Sequence, residues 1–271
     1  WVIRGGDGQV RAFHNVCRHR GTRLCREPSG SVRQLVCPYH QWVYGKDGKL
    51  LSCRGMQDGL DTGALGLSPV ATENLCGFIF VNLAKQPGDF GPARELIEPM
   101  LRPQGCDRAK VAKTVNYTVH SNWKLVWENN RECYHCNINH PQYVKANYDH
   151  YNADHTSPEL MQKIADKSQR SEAEWGRHGL AITHRSSGMA PFPDAGNDGW
   201  FTINRTPLAD GYVSETMDGQ QVAPLMGDYT DNSVGTLRLR TVPNMWCHAS
   251  CDHVVSTRLL PIDKATTEVR V

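Results

Sequence analysis

The first 85 or so residues alternate short apolar runs with turn residues. Leu35-Val36, Trp42-Val43-Tyr44 and Phe78-Ile79-Phe80-Val81 read as strands. Gly5-Gly6-Asp7-Gly8 and Lys46-Asp47-Gly48-Lys49 read as hairpin turns, because Asp-Gly supplies the positive φ angles such turns need. Gln86-Pro87-Gly88-Asp89 interrupts this pattern, and beyond it the period changes. Leu96, Ile97, Met100 and Leu101 fall on one side of a helix over Pro92 to Leu101, with Pro92 tolerated in the first turn. A strand is predicted from about Ala112 to Val119, and Ser121-Asn122 then caps a helix predicted over Trp123 to about Asn137. The stretch from about 150 to 200 is polar, with Gly and Pro gathered near its end, and predicts loops and partial helices around a site. Alternation returns from about Gly199, in Thr236-Leu237-Arg238-Leu239-Arg240 and Val254-Val255-Ser256-Thr257-Arg258-Leu259. The pattern divides the chain into a β-rich domain over 1–88 and an α+β domain over 89–271.

Length agrees with two domains, since 271 residues exceed the usual size of one. No window approaches the ~18 apolar residues that a membrane helix needs, and no signal peptide opens the chain, so a cytoplasmic location is expected. The chain begins Trp1-Val2-Ile3-Arg4 and ends Glu268-Val269-Arg270-Val271, which reads as the middle of a strand; both ends look cut, which predicts a piece of a longer protein. The net charge of +2, from 30 basic and 28 acidic residues, is spread without a basic run, so binding to nucleic acid through a basic stripe is not indicated. Ten cysteines without a secretory signal point to thiols and metal ligands before disulfides.

Two of those cysteines sit in a distinctive setting. Cys17-Arg18-His19 and Cys37-Pro38-Tyr39-His40 form a Cys-x-His and a Cys-x-x-His at two loop tips, with seventeen residues between them. Structural zinc sites favour Cys-Cys and His-His pairs, with like ligands together. Mixed pairs suit a [2Fe–2S] cluster held by two Cys on one iron and two His on the other. Further along, Glu128, Glu132 and His135 share a face of the predicted helix, and His140 follows just before Pro141. Two His with a carboxylate and open positions is the non-haem Fe(II) arrangement that activates dioxygen. Alone, two histidines on a polar face carry little weight; after the first constellation they carry much more.

Cys17-Arg18-His19-Arg20-Gly21 and Cys37-Pro38-Tyr39-His40-Gln41-Trp42 resemble the motifs of Rieske non-haem iron oxygenases, the ring-hydroxylating α-subunit superfamily. Respiratory-chain Rieske proteins carry extra cysteines that form a disulfide; here Tyr39 stands where the second loop would hold one, and Cys25 reads as a buried thiol. The segment from Asn122 to Pro141, with Glu132-Cys133-Tyr134-His135-Cys136, is similar to the catalytic motif of that family and looks closest to its glycine betaine, stachydrine and carnitine branch. The resemblance implies a β-rich Rieske domain followed by a catalytic domain on an antiparallel sheet. It makes Cys17, His19, Cys37 and His40 cluster ligands and His135 and His140 iron ligands. It makes Glu132 the carboxylate that links a Rieske His of one subunit to an iron-binding His of its neighbour. The third iron ligand is expected to be an Asp beyond Val271, with Asp252 a weak candidate inside the chain. Cys133-x-x-Cys136 could be redox-active, but the adjacent histidines already account for the segment.

The implied assembly is a homotrimer fed by an NAD(P)H-dependent flavin or iron–sulfur reductase. The implied reaction is O2-dependent hydroxylation of an N-methyl group on a quaternary ammonium compound. Such a cation seeks aromatic faces, and Tyr143, Tyr148, Trp175, Trp200, Phe201, Tyr229 and Trp246 are candidates, though each is also an ordinary packing residue. The alternatives are an aromatic-ring dioxygenase α subunit and a Rieske electron carrier. A carrier leaves about 170 residues without a purpose.

Overall fold

Positive-φ turns tie the N-terminal strands together. β1 (Val2–Arg4) and β2 (Val10–Phe13) pair antiparallel across the turn that holds Gly8 at φ 79°. β2 continues into β6 (Pro69–Leu75) and β7 (Phe78–Asn82), giving the sheet order β1-β2-β6-β7. A second sheet is made by β3 (Leu35–Val36), β4 (Val43–Tyr44) and β5 (Leu50–Ser52), with Gly48 at φ 86° in the β4–β5 turn. Phe13, Leu24, Leu35, Trp42, Tyr44, Leu50 and Leu67 form the core here, and Cys17 and Cys37 are buried among them. β6 was not apparent in the sequence because Ala71-Thr72-Glu73-Asn74 has no apolar alternation; its ladder to β7 carries it instead.

The computed structural model describes residues 1–57, 59–132, 135–147, 157–183 and 199–271. It divides into two units, Trp1–Asp89 and Phe90–Val271. In the second, α1 (Gly91–Leu101) buries Ala93, Ile97, Met100 and Leu101. The centre is a six-stranded antiparallel sheet ordered β8-β13-β12-β11-β10-β9. Its strands are β8 (Asn116–Val119), β9 (Phe201–Thr206), β10 (Thr236–Thr241), β11 (Met245–Ala249), β12 (Val254–Asp263) and β13 (Thr266–Arg270). Alternation in β10 does not mean one wet face, since all six of its residues are buried. Arg238 is accommodated by donating to Asn147 Oδ1 at 2.8 Å, as a buried cation must be. The sheet and helices confirm the α+β class, with an antiparallel sheet in the second domain.

Two helix expectations need correction. The helix over Trp123 to Asn137 is not continuous. α2 spans Trp123–Arg131, capped by the Asn122 side chain accepting from Lys124 N, and Glu132 then turns extended at φ −95°, ψ 159°. Short helices α3 (Cys136–Asn139) and α4 (Pro141–Ala146) follow. Asn129, Asn130, Asn137 and Asn139 are weak helix formers that favour local side-chain bonds, and Pro141 starts α4 because it cannot continue α3. The second correction is α5 (Pro158–Arg177), a 20-residue helix inside the stretch read as loops and partial helices. Its start signals were present: Ser157 accepts from Leu160 N at 3.2 Å and Pro158 occupies the first turn. Few apolar residues reinforce them, and only Ser171 and Trp175 are buried along it. Among the described residues, no helix is long and apolar enough to cross a membrane.

Candidate metal centres

The two N-terminal loops are built alike. Cys17 N donates to Thr22 O and Gly21 N to Cys17 O; Cys37 N donates to Trp42 O and Gln41 N to Cys37 O, all at 2.8–3.0 Å. Each loop reverses at its fifth residue, where Gly21 has φ 73° and Gln41 φ 60°. A non-glycine residue held in that left-handed region is uncommon, so the loop at Gln41 is fixed by its surroundings. Tyr44, fully buried, is part of that support. Its hydroxyl accepts from Arg18 N at 3.1 Å and meets the Cys17 sulfur at 3.3 Å. Asn15 braces the first loop, its Oδ1 accepting from Leu24 N and Cys25 N and its Nδ2 donating to Cys25 O.

These loops bring thiol to thiol and imidazole to imidazole. Cys17 and Cys37 are both buried and within hydrogen-bonding reach of each other. The His19 and His40 ring centres are 4.6 Å apart and nearly perpendicular. Trp42 stacks on His19 at 4.8 Å and 8°, fixing that ring. His19 Nδ1 is buried with no hydrogen-bond partner. A buried ring nitrogen so orphaned is costly unless something outside the protein takes its lone pair. Burial, with the neighbouring His40 and Arg20, holds the His19 pKa below its ordinary value, favouring the neutral form that binds metal. Burial would raise the Cys37 pKa, but the backbone N–H groups of Tyr39 and His40, the Cys17 thiol and Arg26 outweigh it, so the thiol is held below its usual range. Among the described residues no three His, Cys, Asp or Glu side chains converge on one metal ion. A two-iron cluster does not ask for three, since each iron takes two protein ligands. The donor set therefore fits a [2Fe–2S] cluster and does not fit a four-ligand zinc ion.

The second centre lies where α2, α3 and α4 meet end to end. The extended turn at Glu132 places its Oε1 2.7 Å from His135 Nδ1. A carboxylate there accepts the Nδ1–H and leaves Nε2 for a metal, the usual orienting role of a partner behind a metal-binding imidazole. The His135 and His140 rings are 5.2 Å apart at 77°. Imidazole nitrogens bind first-row metals at about 2 Å, and this spacing lets both rings address a common point. The pair fits two of the three protein ligands of a non-haem Fe(II) site. Glu128 is mostly exposed and paired with Arg131.

Asp252 does not join this pair. Its Oδ1 accepts from Ser214 Oγ at 2.6 Å and lies 2.8 Å from His253 Nδ1, while its Oδ2 accepts from Val222 N at 2.7 Å. A carboxylate used in this way fastens a loop, and the weak candidacy of Asp252 as third ligand is withdrawn. Of the aromatic candidates, Trp175 donates to Ser233 O, and Tyr229 donates to Gln104 Oε1 and accepts from Arg205. Phe201 is buried in β9, Trp200 lies against Phe90, and Trp246 packs on Trp127. Tyr143, on α4, lines a cavity, and Tyr148 lies outside the described residues. Cys25 is a half-buried free thiol, its pKa raised by burial. Cys136 is buried, while Cys133 lies outside the described residues. Tyr44 and Asn15 were not singled out from sequence; each acts on residues nine or more positions away, and no local spacing marks them.

Comparison with known proteins places both centres in one family. Residues 1–64 match the Rieske [2Fe-2S] domain and residues 106–271 the ring hydroxylating alpha subunit catalytic domain. The glycine betaine monooxygenase oxygenase subunit of Chromohalobacter salexigens is 40% identical over 270 residues, covering 99% of this chain and 58% of that protein. The carnitine monooxygenase oxygenase subunit of Escherichia coli K12 is 32% identical over 151 residues, 52% of this chain and 38% of that one. Among solved structures, the quaternary ammonium Rieske monooxygenase CntA superposes with a TM-score of 0.63 at 21% identity, over 99% of this chain and 60% of its own. The chain thus spans about three fifths of the length of the glycine betaine relatives it matches. The paired thiols and imidazoles of one unit, the orphaned His19 nitrogen, the carboxylate-backed histidines of the other and these matches lead to one assignment: this chain belongs to the ring-hydroxylating oxygenase α-subunit family, with a Rieske domain ahead of the family's catalytic domain.

Proposed function

We propose that the chain is the electron-accepting and oxygen-activating part of a Rieske monooxygenase that removes an N-methyl group from a quaternary ammonium compound such as glycine betaine. The observation that carries this reading is the 40% identity to an oxygenase subunit named for glycine betaine along 99% of the chain. Cys17, His19, Cys37 and His40 hold the cluster, and His135 and His140 supply two of the ligands of the iron. The bound metals supply one-electron transfer and the activation of dioxygen.

The chain's own residues do the rest. Trp42 and Tyr44 hold the cluster loops in shape. Glu132 accepts the His135 Nδ1–H and fixes which nitrogen faces the metal. In the assembled enzyme, a homotrimer, Glu132 also meets a Rieske imidazole of the neighbouring subunit and offers a short route for electrons. The CntA structure is described as giving insight into inter-subunit electron transfer, which supports the same route here. An NAD(P)H-dependent reductase is the electron source. Hydroxylation of one N-methyl carbon takes one oxygen atom of O2, two electrons and two protons, with the second oxygen leaving as water. The product then releases formaldehyde and a proton, leaving the demethylated amine.

The test is a turnover assay of the iron-loaded protein with a generic Rieske reductase. Formaldehyde released in step with glycine betaine consumed is the expected result. Cis-diol formation from an arene, without formaldehyde from any betaine, would replace this reading by a ring dioxygenase. A protein holding two irons per chain and no third would be a carrier. For the bridge, Glu132→Gln is expected to keep both metals and lower kcat by about 10- to 100-fold, as is typical when a carboxylate behind a metal-binding imidazole is lost. Full activity in that variant would reject the role of Glu132.

A further inference from the structure

The chain between the two cluster loops carries an unbalanced charge. From His14 to Gln34 it holds five arginines, Arg18, Arg20, Arg23, Arg26 and Arg33, against one acid, Glu27. The whole chain, by contrast, is nearly balanced, with 30 basic and 28 acidic residues. All six of these side chains are exposed. Elsewhere in the same unit cations are answered, Arg11 by Asp7 and Lys49 by Asp47. Among the described residues none of the five arginines forms an ion pair. Exposed guanidinium groups gathered in this way repel one another. An acidic surface laid against them relieves that repulsion and is drawn in by it.

The segment is anchored at the thiol end of the cluster site. Leu24 packs in one core with Cys17 and Cys37. Asn15 binds Leu24 N, Cys25 N and Cys25 O, and Arg23 Nε donates to Cys25 O at 3.0 Å. Arg26 is near enough to act on the Cys37 sulfur. Val16 and Val36 stand directly before Cys17 and Cys37 and are 47% and 53% exposed, so each buried thiol is one residue from open surface. Val32, within the segment, is 44% exposed. Apolar side chains beside the thiols, with guanidinium groups along the adjoining segment, have the make-up of a docking patch. The imidazole end has another use, since the proposed function gives it to Glu132 of the neighbouring subunit. That leaves the thiol side for an electron donor.

We propose that Arg23, Arg26 and Arg33 form the docking surface for the reductase, whose acidic iron–sulfur domain approaches the cluster from its thiol side. The inference rests on the proposed function and adds where the electron donor binds. One electron leaves the reduced centre of the donor and enters the oxidised cluster, and no bond is made or broken. The test measures binding of the iron-loaded protein to a one-chain reductase with a flavin and a plant-type [2Fe–2S] centre, by surface plasmon resonance at low and at high salt. The parent is expected to lose about tenfold or more in affinity at high salt, because exposed charges are screened. Arg26→Glu and Arg33→Glu are each expected to weaken binding at low salt by about fivefold or more and to flatten its salt dependence. Arg26→Lys keeps the charge and is expected to bind as the parent does. Glu27→Gln removes the one acid and is expected to tighten binding by about twofold. Lys264, exposed in the second unit, serves as the control: Lys264→Glu makes the same change of net charge and is expected to leave binding unaltered. Cluster reduction followed by stopped flow should rank the variants in the same order, with the midpoint potential of Arg33→Glu equal to that of the parent. Equal weakening by Lys264→Glu would make the effect one of net charge and overturn the inference. Parent-like affinity in both arginine reversals would place the reductase elsewhere. Break-up of the oligomer in those variants, read by light scattering, would assign the arginines to the contact between subunits and also overturn it. In each of these cases the demethylase reading stands. A parent that the reductase neither binds nor reduces would remove such a reductase from that reading as well.

Discussion

Tyr44 concentrates several demands on one side chain. It has no exposed surface, it closes the core of the first unit, and its hydroxyl touches both the Arg18 N–H and the Cys17 sulfur. Burial, then the Cys17 sulfur, pushes its pKa up, so it stays a protonated donor. A hydrogen bond to a cluster sulfur favours the reduced form, which carries the extra electron. Tyr44→Phe keeps the ring and removes the hydroxyl's contacts with the Cys17 sulfur and the Arg18 N–H. A bond worth about 0.5–1.5 kcal/mol corresponds to roughly 20–60 mV for one electron, so the midpoint potential is expected to fall by that amount. Protein-film voltammetry reads it directly, and an unchanged potential would show that the hydroxyl does not act on the cluster. At this scale the candidate ligands were legible because their spacing is local: Cys-x-His, Cys-x-x-His and His-x₄-His each fit within a few residues. Tyr44 was not, since its partner comes from 27 positions away and no run of sequence brings the two together. Asp252 was misleading for the same reason: Cys251-Asp252-His253 looks like a set of ligands, yet its role is set by Ser214 and Val222.

The short elements depend on their turns more than on their strands. β3 and β4 are two residues each, too short to be stable as a ladder, so the β4–β5 turn decides whether the second cluster loop is presented. Gly48 sits at that turn with φ 86°, and a Cβ there would run into the Phe13 ring from the other sheet. Gly48→Ala faces both a left-handed backbone, at about 1–2 kcal/mol, and overpacking of a filled core, at about 1–3 kcal/mol. A loss of at least about 2 kcal/mol is expected, read as a lower unfolding midpoint and lower iron and sulfide content. A variant with wild-type values would mean that Phe13 gives way. Asp47-Gly48 was recognisable from sequence because the turn chemistry is local. α5 was not recognised, because its long polar surface left too few apolar positions to show a period of 3.6. The break after Arg131 was also hidden: the spacing of Glu128, Glu132 and His135 suits a continuous helix, but Glu132 uses an extended backbone to bring its carboxylate to His135 Nδ1.

For the whole molecule, the division at Asp89/Phe90 leaves each unit with its own buried cluster, one around Cys17, Cys37 and Tyr44 and others around Trp127 and Tyr229. The two centres are therefore supported by separate cores, and disabling one need not unfold the other. That separation makes the route between them testable. In the proposed arrangement His40→Ala removes an exposed ligand of the cluster and His135→Ala one of the iron; each variant alone is expected to be inactive with the reductase. If electrons pass between neighbours in a ring of subunits, a productive junction needs a chain with a cluster followed by a chain with iron. Random mixing of the two variants places such a junction at about a quarter of positions, so co-expressed, co-purified mixtures are expected to recover about a quarter of wild-type formaldehyde release. Electron flow confined to one chain predicts instead that mixed oligomers, verified by differently tagged chains, are as inactive as either parent. Recovery would also assign Glu132 its place, because adding Glu132→Gln to the His40→Ala chain, which supplies the working iron, should abolish the recovered activity, while adding it to the His135→Ala chain should not.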